Sequence, residues 1–240
     1  MPRWLVLVDG DAGLLDRLAA LFVSPELHVR ESDDGYGFHA QDLDAIDSPG
    51  AVLEAAGKHI ILLNVYAKHM DSHAQQIRHR GLVELAGCTT RHHVVVLCDS
   101  LSIKATMPMV EAPTDPVLNA DIASRMARLV TQDEPLQKVL RLWIAYRDHL
   151  NHPEPWVALR RIVEAVERDL GKSADDMGWV PQNERDRFGA NANHPLLTGD
   201  KAAHSSSHGK PPKQTAMAVS SATDFVGHII DRYMLWKAST

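Results

Sequence analysis

A chain of 240 residues, 45% hydrophobic and 23% charged, carries enough apolar side chain for one large core or two modest ones, which excludes a wholly disordered polymer. Its two cysteines, Cys88 and Cys98, are too few for a disulfide framework, and the first apolar run, Trp4 to Val8, is too short for a secretory core or a membrane span, so the expectation is a cytoplasmic protein with no membrane contact. The net charge of −6 is uneven: residues 1–54 hold eleven Asp and Glu against three Arg, so a phosphate backbone is repelled there and any nucleic-acid contact belongs further along the chain.

In chain order, WLVLV (4–8) predicts a strand. Ser48 followed by Pro49, at the first helical position, predicts a helix through AVLEAAGKHIILL. That helix runs into HIILLNVYA (59–67), a short apolar run of strand type, and the point where one yields to the other stays open. RHHVVVLC (91–98) is β-branched and LSIKATM (101–107) alternates, so strands dominate the front of the chain. Pro108, Pro113 and Pro116 then interrupt the pattern and mark a boundary.

Beyond it, four amphipathic helices are predicted. ADIASRMARLV aligns Ile122, Met126, Leu129 and Val130, and PLQKVLRLWIAYRDHL aligns Leu136, Leu140 and Trp143. PWVALRRIVEAVERDLG aligns Trp156, Leu159, Val163, Val166 and Leu170 between Pro155 at its entrance and Gly171 just past its exit. The last follows a capping box from Ser221 to Asp224 and aligns Phe225, Ile229, Tyr233 and Trp236. Helical stripes with no strand between them bury against one another as a bundle. The expected fold class is therefore α+β: a mixed strand and helix domain over 1–110 and an all-α domain over 115–240.

Before the last helix lies NANHPLLTGDKAAHSSSHGKPPKQT (191–215), polar, with three histidines and a double proline. A structureless connection of about thirty residues in a compact domain is uncommon unless it is functional or mobile.

Several residues of this region carry a resemblance. Glu164, Gly178 and Trp179, then Phe188 before Ala192 and Asn193, then Gly199 and Asp200, His204, Pro211 and Pro212, and Trp236 near the end resemble the pattern of uncharacterised bacterial proteins with a HEPN-like helical C-terminal domain. GFHAQDLDAIDSPGAVLEAAGKHIILLN (37–64) resembles the mixed domain that precedes it in that group. The resemblance implies an RNA-directed or interaction role in a bacterial stress or defence system, single-stranded RNA as a ligand, and a homodimer; a protein partner for the front domain belongs to the alternative of a scaffold. HEPN domains that cut RNA without metal use an Arg and a His four to six residues apart, commonly with a polar residue after the Arg, in a composite site at the dimer interface. The resemblance thus points to Arg187, His194 and His204 as candidate catalytic residues, with Asn193, Asp200, Lys201, His208, Lys210 and Lys213 as candidate binding residues. Phe188 follows that Arg, however, and Ala203 stands where the pattern has an Arg just before the His, which implies binding with weak or absent cleavage.

Two rivals concern other chemistry. His204 and His208 stand four apart with Asp200 and His194 near in sequence, a conceivable zinc set on a segment that is a poor helix former, and neither metal nor cofactor is expected. VLVDGDAGLLDRLAALF, ILLNVYAKHMDS and VVVLCDS are similar to a response-regulator receiver domain, with Asn64 where the phosphoryl-accepting Asp would stand and Lys104 early for its basic residue. That likeness implies a pseudo-receiver that takes no phosphoryl group. A role as a non-catalytic scaffold or complex subunit needs none of this chemistry.

Overall fold

A computed structural model describes residues 2–86, 89–94, 117–149, 152–194, 197 and 213–240. The chain divides into two compact units, 1–134 and 135–240. Acidic residues outnumber Lys and Arg by 19 to 11 in the first and are outnumbered 12 to 14 in the second, so the charge asymmetry of the sequence follows this division.

The first unit is built on a six-stranded sheet in the order β2-β3-β4-β1-β5-β6, antiparallel at every pairing. Strand β1 (Trp4–Asp9) is central and buried from Trp4 to Val8, which is why WLVLV lacks polar alternation. Helix α1 (Ala12–Leu21) follows, and the Asp11 carboxylate caps it by accepting from the Leu14 amide at 3.0 Å. Strands β2 (Val23–Ser24), β3 (Leu27–Ser32) and β4 (Gly35–His39) then meander to the edge of β1. Gly37 in β4 is required by close approach, since a Cβ there would stand 2.9 Å from the Val6 carbonyl oxygen.

Helix α2 (Pro49–Met70) carries the whole run HIILLNVYA, so the expected change to a strand does not occur. Its first half buries only Val52 and Ala56, as an amphipathic helix does, whereas His59 and every residue from Leu62 to Ala67 are buried. A helix buried all round loses its polar positions and reads as a continuous apolar segment. Strands β5 (Arg78–Ala86) and β6 (Thr89–Val94) complete the sheet. The strand expected from RHHVVVLC is described through Val94, and LSIKATM lies outside the described residues.

The antiparallel sheet also corrects the receiver likeness, which requires parallel strands joined by helical crossovers. Asn64 sits inside α2 rather than after a strand. It is 2% exposed, and its side-chain amide donates to the Ile60 and Ile77 carbonyls at 3.0 and 2.9 Å and accepts from the Ile77 amide at 2.8 Å. Its role is to tie the loop before β5 to the helix.

Helix α3 (Ala120–Gln132), expected with the bundle, packs in the first unit instead. It is capped by Asn119, faces α2 with Ala123, Met126, Ala127 and Val130 buried, and is fastened by Arg128 to Glu26 at 2.9 Å and by Lys58 to the Thr131 carbonyl at 3.3 Å. Amphipathic periodicity identifies the buried stripe of a helix but not the surface that buries it.

The second unit is all helical among its described residues: α4 (Glu134–Arg147), α5 (Pro155–Leu170), α6 (Gln182–Asn193) and α7 (Val219–Ser239). The predicted stripes of α4 and α5 are observed with Leu136, Leu140, Trp143, Trp156, Leu159, Val163 and Val166 buried, while Leu170 at the end of α5 is half-buried. Gly171 ends α5 at φ 67°, the left-handed conformation that glycine adopts without strain. In α7 the first turn begins at Val219 with Ala218 as its cap, so Ser221 and Asp224 lie inside the helix and form no capping box. Tyr233 of α7 donates to Asp169 of α5 at 2.7 Å, and Lys237 pairs with the same carboxylate at 2.7 Å.

Candidate functional site

Helix α6 covers the start of the tract expected to be a connection. QNERDRFGANAN is too polar to show a stripe, and only Phe188, Asn191 and Ala192 are buried. Arg187 lies on this helix, and its guanidinium donates to the Thr215 and Ala216 carbonyls at 3.4 and 2.8 Å. Beside it the buried Asn191 donates to the Arg187 and Thr215 carbonyls at 2.9 and 3.1 Å and accepts from the Met217 amide at 2.8 Å. These two side chains hold the approach to α7 against α6. Asn191→Ala strands the buried Met217 amide and removes one of two donors to the Thr215 carbonyl, and is expected to cost about 2 kcal/mol, against about 1 kcal/mol for Arg187→Ala, read as shifts of the urea midpoint.

His194 caps the end of α6, two turns from Arg187 and about 10 Å along the axis. Asn193 accepts from Arg160 of α5, which also bonds Glu164 at 2.6 Å. The adjoining cleft of about 100 Å³ is lined by these three and by Arg185, whose guanidinium is bound in a fork to Glu167 at 2.8 and 2.8 Å. That hydrogen-bonded carboxylate raises the Arg185 pKa above its ordinary value despite burial. Lys213 is exposed. Asp200, Lys201, His204, His208 and Lys210 lie outside the described residues, as do Cys88, Cys98 and Lys104. Among the described residues no three His, Cys, Asp or Glu side chains stand close enough to hold a metal ion. The arrangement therefore gives Arg187 and Asn193 structural partners and does not bring Arg187 and His194 together.

A second Arg and His pair fits the stated spacing and was missed in the sequence. Arg147 and His152 have four residues between them, and the polar Asp148 directly follows the Arg, as Phe188 does not in the other pair. The signal was hidden because Arg147 lies in the last turn of the predicted helix PLQKVLRLWIAYRDHL, where a basic residue is expected for its effect on the helix dipole.

The geometry around this pair is open. The Arg147 guanidinium lies over the Trp143 ring, 5.2 Å from its centroid, and is half-buried. The His152 ring packs against Tyr146 at 5.8 Å and edge-on against the exposed His149 at 6.0 Å between centroids. His152 Nδ1 accepts from the Glu154 amide at 3.1 Å, so the neutral ring carries its proton on Nε2 and presents a donor. Beside it, a cleft of about 130 Å³ between α4 and α5 is lined by Tyr146, His152, Glu154 and Arg161 with apolar side chains between them. His152 and Arg161 thus line one cleft, with His149 edge-on to His152. No protein-family model, curated protein or solved structure was found to match the chain.

Proposed function

We propose that residues 135–240 form a HEPN-like, RNA-directed module of a bacterial stress or defence system, acting as a homodimer, and that Arg147 and His152 rather than Arg187, His194 and His204 carry it. The observation behind this is the spacing of Arg147 and His152 that the HEPN resemblance calls for, with the polar Asp148 after the Arg and the His152 ring set edge-on to the exposed His149. Arg147 supplies a fixed positive charge for a phosphate oxygen, and His152 Nε2–H a second donor. His149 adds an imidazole able to accept a proton from a ribose 2′-hydroxyl. In cleavage the 2′-oxygen would bond to phosphorus as the bond to the 5′-oxygen breaks, with the proton passing from the first oxygen to the second. With Nδ1 of His152 already engaged, binding leads and cleavage is slow. The acidic first unit repels phosphate, which leaves it to a protein partner.

The full-length protein is expected to sediment as a dimer and to bind a fluorescent single-stranded RNA in low salt, with affinity falling steeply as salt rises. A monomer with no RNA affinity at low salt removes this reading and leaves a scaffold role for the helical unit.

A further inference from the structure

The sheet of the first unit has two unlike faces. Val29 and Phe38 pair across β3 and β4 and are buried on the face that α2 covers, where the Phe38 ring meets His59 at 5.9 Å between centroids. Side-chain alternation sets their neighbours on the other face. There His28 pairs with His39, their rings 5.1 Å apart, and Arg30 pairs with Gly37. Strand β5 adds a second guanidinium. Its register against β1 shifts between Leu7, paired with Gly81, and Val8, paired with His79, so Arg80 is the extra residue of a bulge. The Arg80 Nη2 lies 2.9 Å from where a Cβ would stand at Gly35, and the glycine leaves it that room over β4. Arg80, Arg30 and the two imidazoles thus follow one another along β4 from Gly35 to His39, about 14 Å at ~3.4 Å per residue.

The fold does not pair these groups with acids of its own. Among the described residues no carboxylate forms an ion pair with Arg30, Arg80, His28 or His39, and the buried Arg30 Nε and His39 Nδ1 make no hydrogen bond. Burial lowers the His39 pKa most, followed by His28 and Arg30, while Asp44, the weakest influence and the one that raises it, accepts from the Arg3 amide at 2.7 Å. Arg80 is exposed and the other three are half-buried, so a partner can reach them. Cations strung along a strand suit an extended chain, whose alternate side chains stand ~7 Å apart on one side, rather than one small anion, which needs donors gathered on a point. A long polyanion fits less well than a short one. The exposed Glu31, Asp33 and Asp34 flank the strip at the β3–β4 hairpin end, in a unit with 19 acidic residues against 11 Lys and Arg.

We infer that this strip docks a short extended acidic segment of a protein partner, with two carboxylates at alternate positions paired to Arg30 and Arg80 beside His28 and His39. It gives the chemistry of the protein partner assigned above to the first unit and is independent of the RNA reading of the second. The test measures fluorescence anisotropy of the full-length protein in low salt with a labelled heptapeptide that carries glutamate at its third and fifth positions, valine between and beside them and serine at both ends. Its counterpart carries glutamine at the same two positions. The glutamate peptide is expected to bind about tenfold more tightly, the sum of two modest charge pairs. Arg30→Gln combined with Arg80→Gln should remove the difference, and Arg30→Lys combined with Arg80→Lys should keep most of it, which separates lost charge from a lost fold. The glutamine double variant should bind single-stranded RNA as the native protein does. Equal affinity of the native protein for the two peptides, a preference that survives the glutamine substitutions, or one lost equally with lysine overturns the site. Loss of RNA affinity in the glutamine variant would assign the strip to nucleic acid and also overturn it. A glutamate preference in a protein that binds no RNA upholds this site and removes the RNA reading alone.

Discussion

Arg147→Ala combined with His152→Ala is expected to lower the affinity of the full-length protein for single-stranded RNA about a hundredfold at low salt. Hydrogen bonds to a charged partner contribute roughly 1.5–3 kcal/mol each, and two at the lower figure amount to that loss. Slow cleavage, where it is detected, should vanish with the same substitutions, since they remove the fixed charge and one of the two imidazoles. Both side chains are half-buried, and among the described residues Arg147 offers the fold its stacking on Trp143 and its charge at the end of α4, both small, so the circular dichroism spectrum should be unchanged. His204→Ala and Arg187→Ala in the same titration should change affinity less than threefold. The opposite ranking, with RNA binding lost in those two and retained in the double variant, would place the site in the polar tract after α6.

The largest effect on stability is expected from Asn64→Asp, the substitution that would restore the acceptor of a receiver domain. Asn64 donates from one amide nitrogen to the Ile60 and Ile77 carbonyls. A carboxylate in its place turns a donor toward two carbonyl oxygens into an acceptor, in a site 2% exposed. The expected cost is about 3 kcal/mol or more near neutral pH. Burial beside two carbonyls raises the pKa of the new carboxyl in the folded state. Protonated, it donates to one carbonyl, so the variant should be least impaired in acid and lose stability as pH rises through the carboxyl range. A variant as stable as the native protein at neutral pH, by urea unfolding, would show that the loop before β5 does not depend on this clamp.

The two units share this device. Asn64 and Asn191 each donate to the carbonyl four residues back in their own helix and clamp the backbone of a distant segment, Ile77 in one case and Thr215 with Met217 in the other. Neither asparagine was legible as structural. In the sequence Asn64 stood where a phosphoryl acceptor would be, and Asn191 was lost in a polar stretch. An amide satisfying backbone groups thirteen or more residues away leaves no periodic trace, because its partners are set by the packing of other elements.

Periodicity and end signals determined what they physically encode. The stripes Leu136, Leu140 and Trp143, and Trp156, Leu159, Val163 and Val166, are the buried faces of α4 and α5, and Pro155 and Gly171 bound α5, because helix geometry and terminal backbone conformation are local properties. The strand at WLVLV and the α+β class follow in the same way. Tertiary structure decided the rest. It placed α3 with the sheet, kept HIILLNVYA within α2 with His59 and Leu62 to Ala67 buried, and made the strands antiparallel. It also gave Arg187 to two backbone carbonyls, while it set Arg147 over Trp143 and left His152 lining a cleft between α4 and α5. The pairs Arg187 with His194 and Arg147 with His152 are near equivalents as spacings, and only the packing of α4, α5, α6 and α7 separates them, since whether a guanidinium is free to meet a phosphate depends on which carbonyls the fold brings to it first.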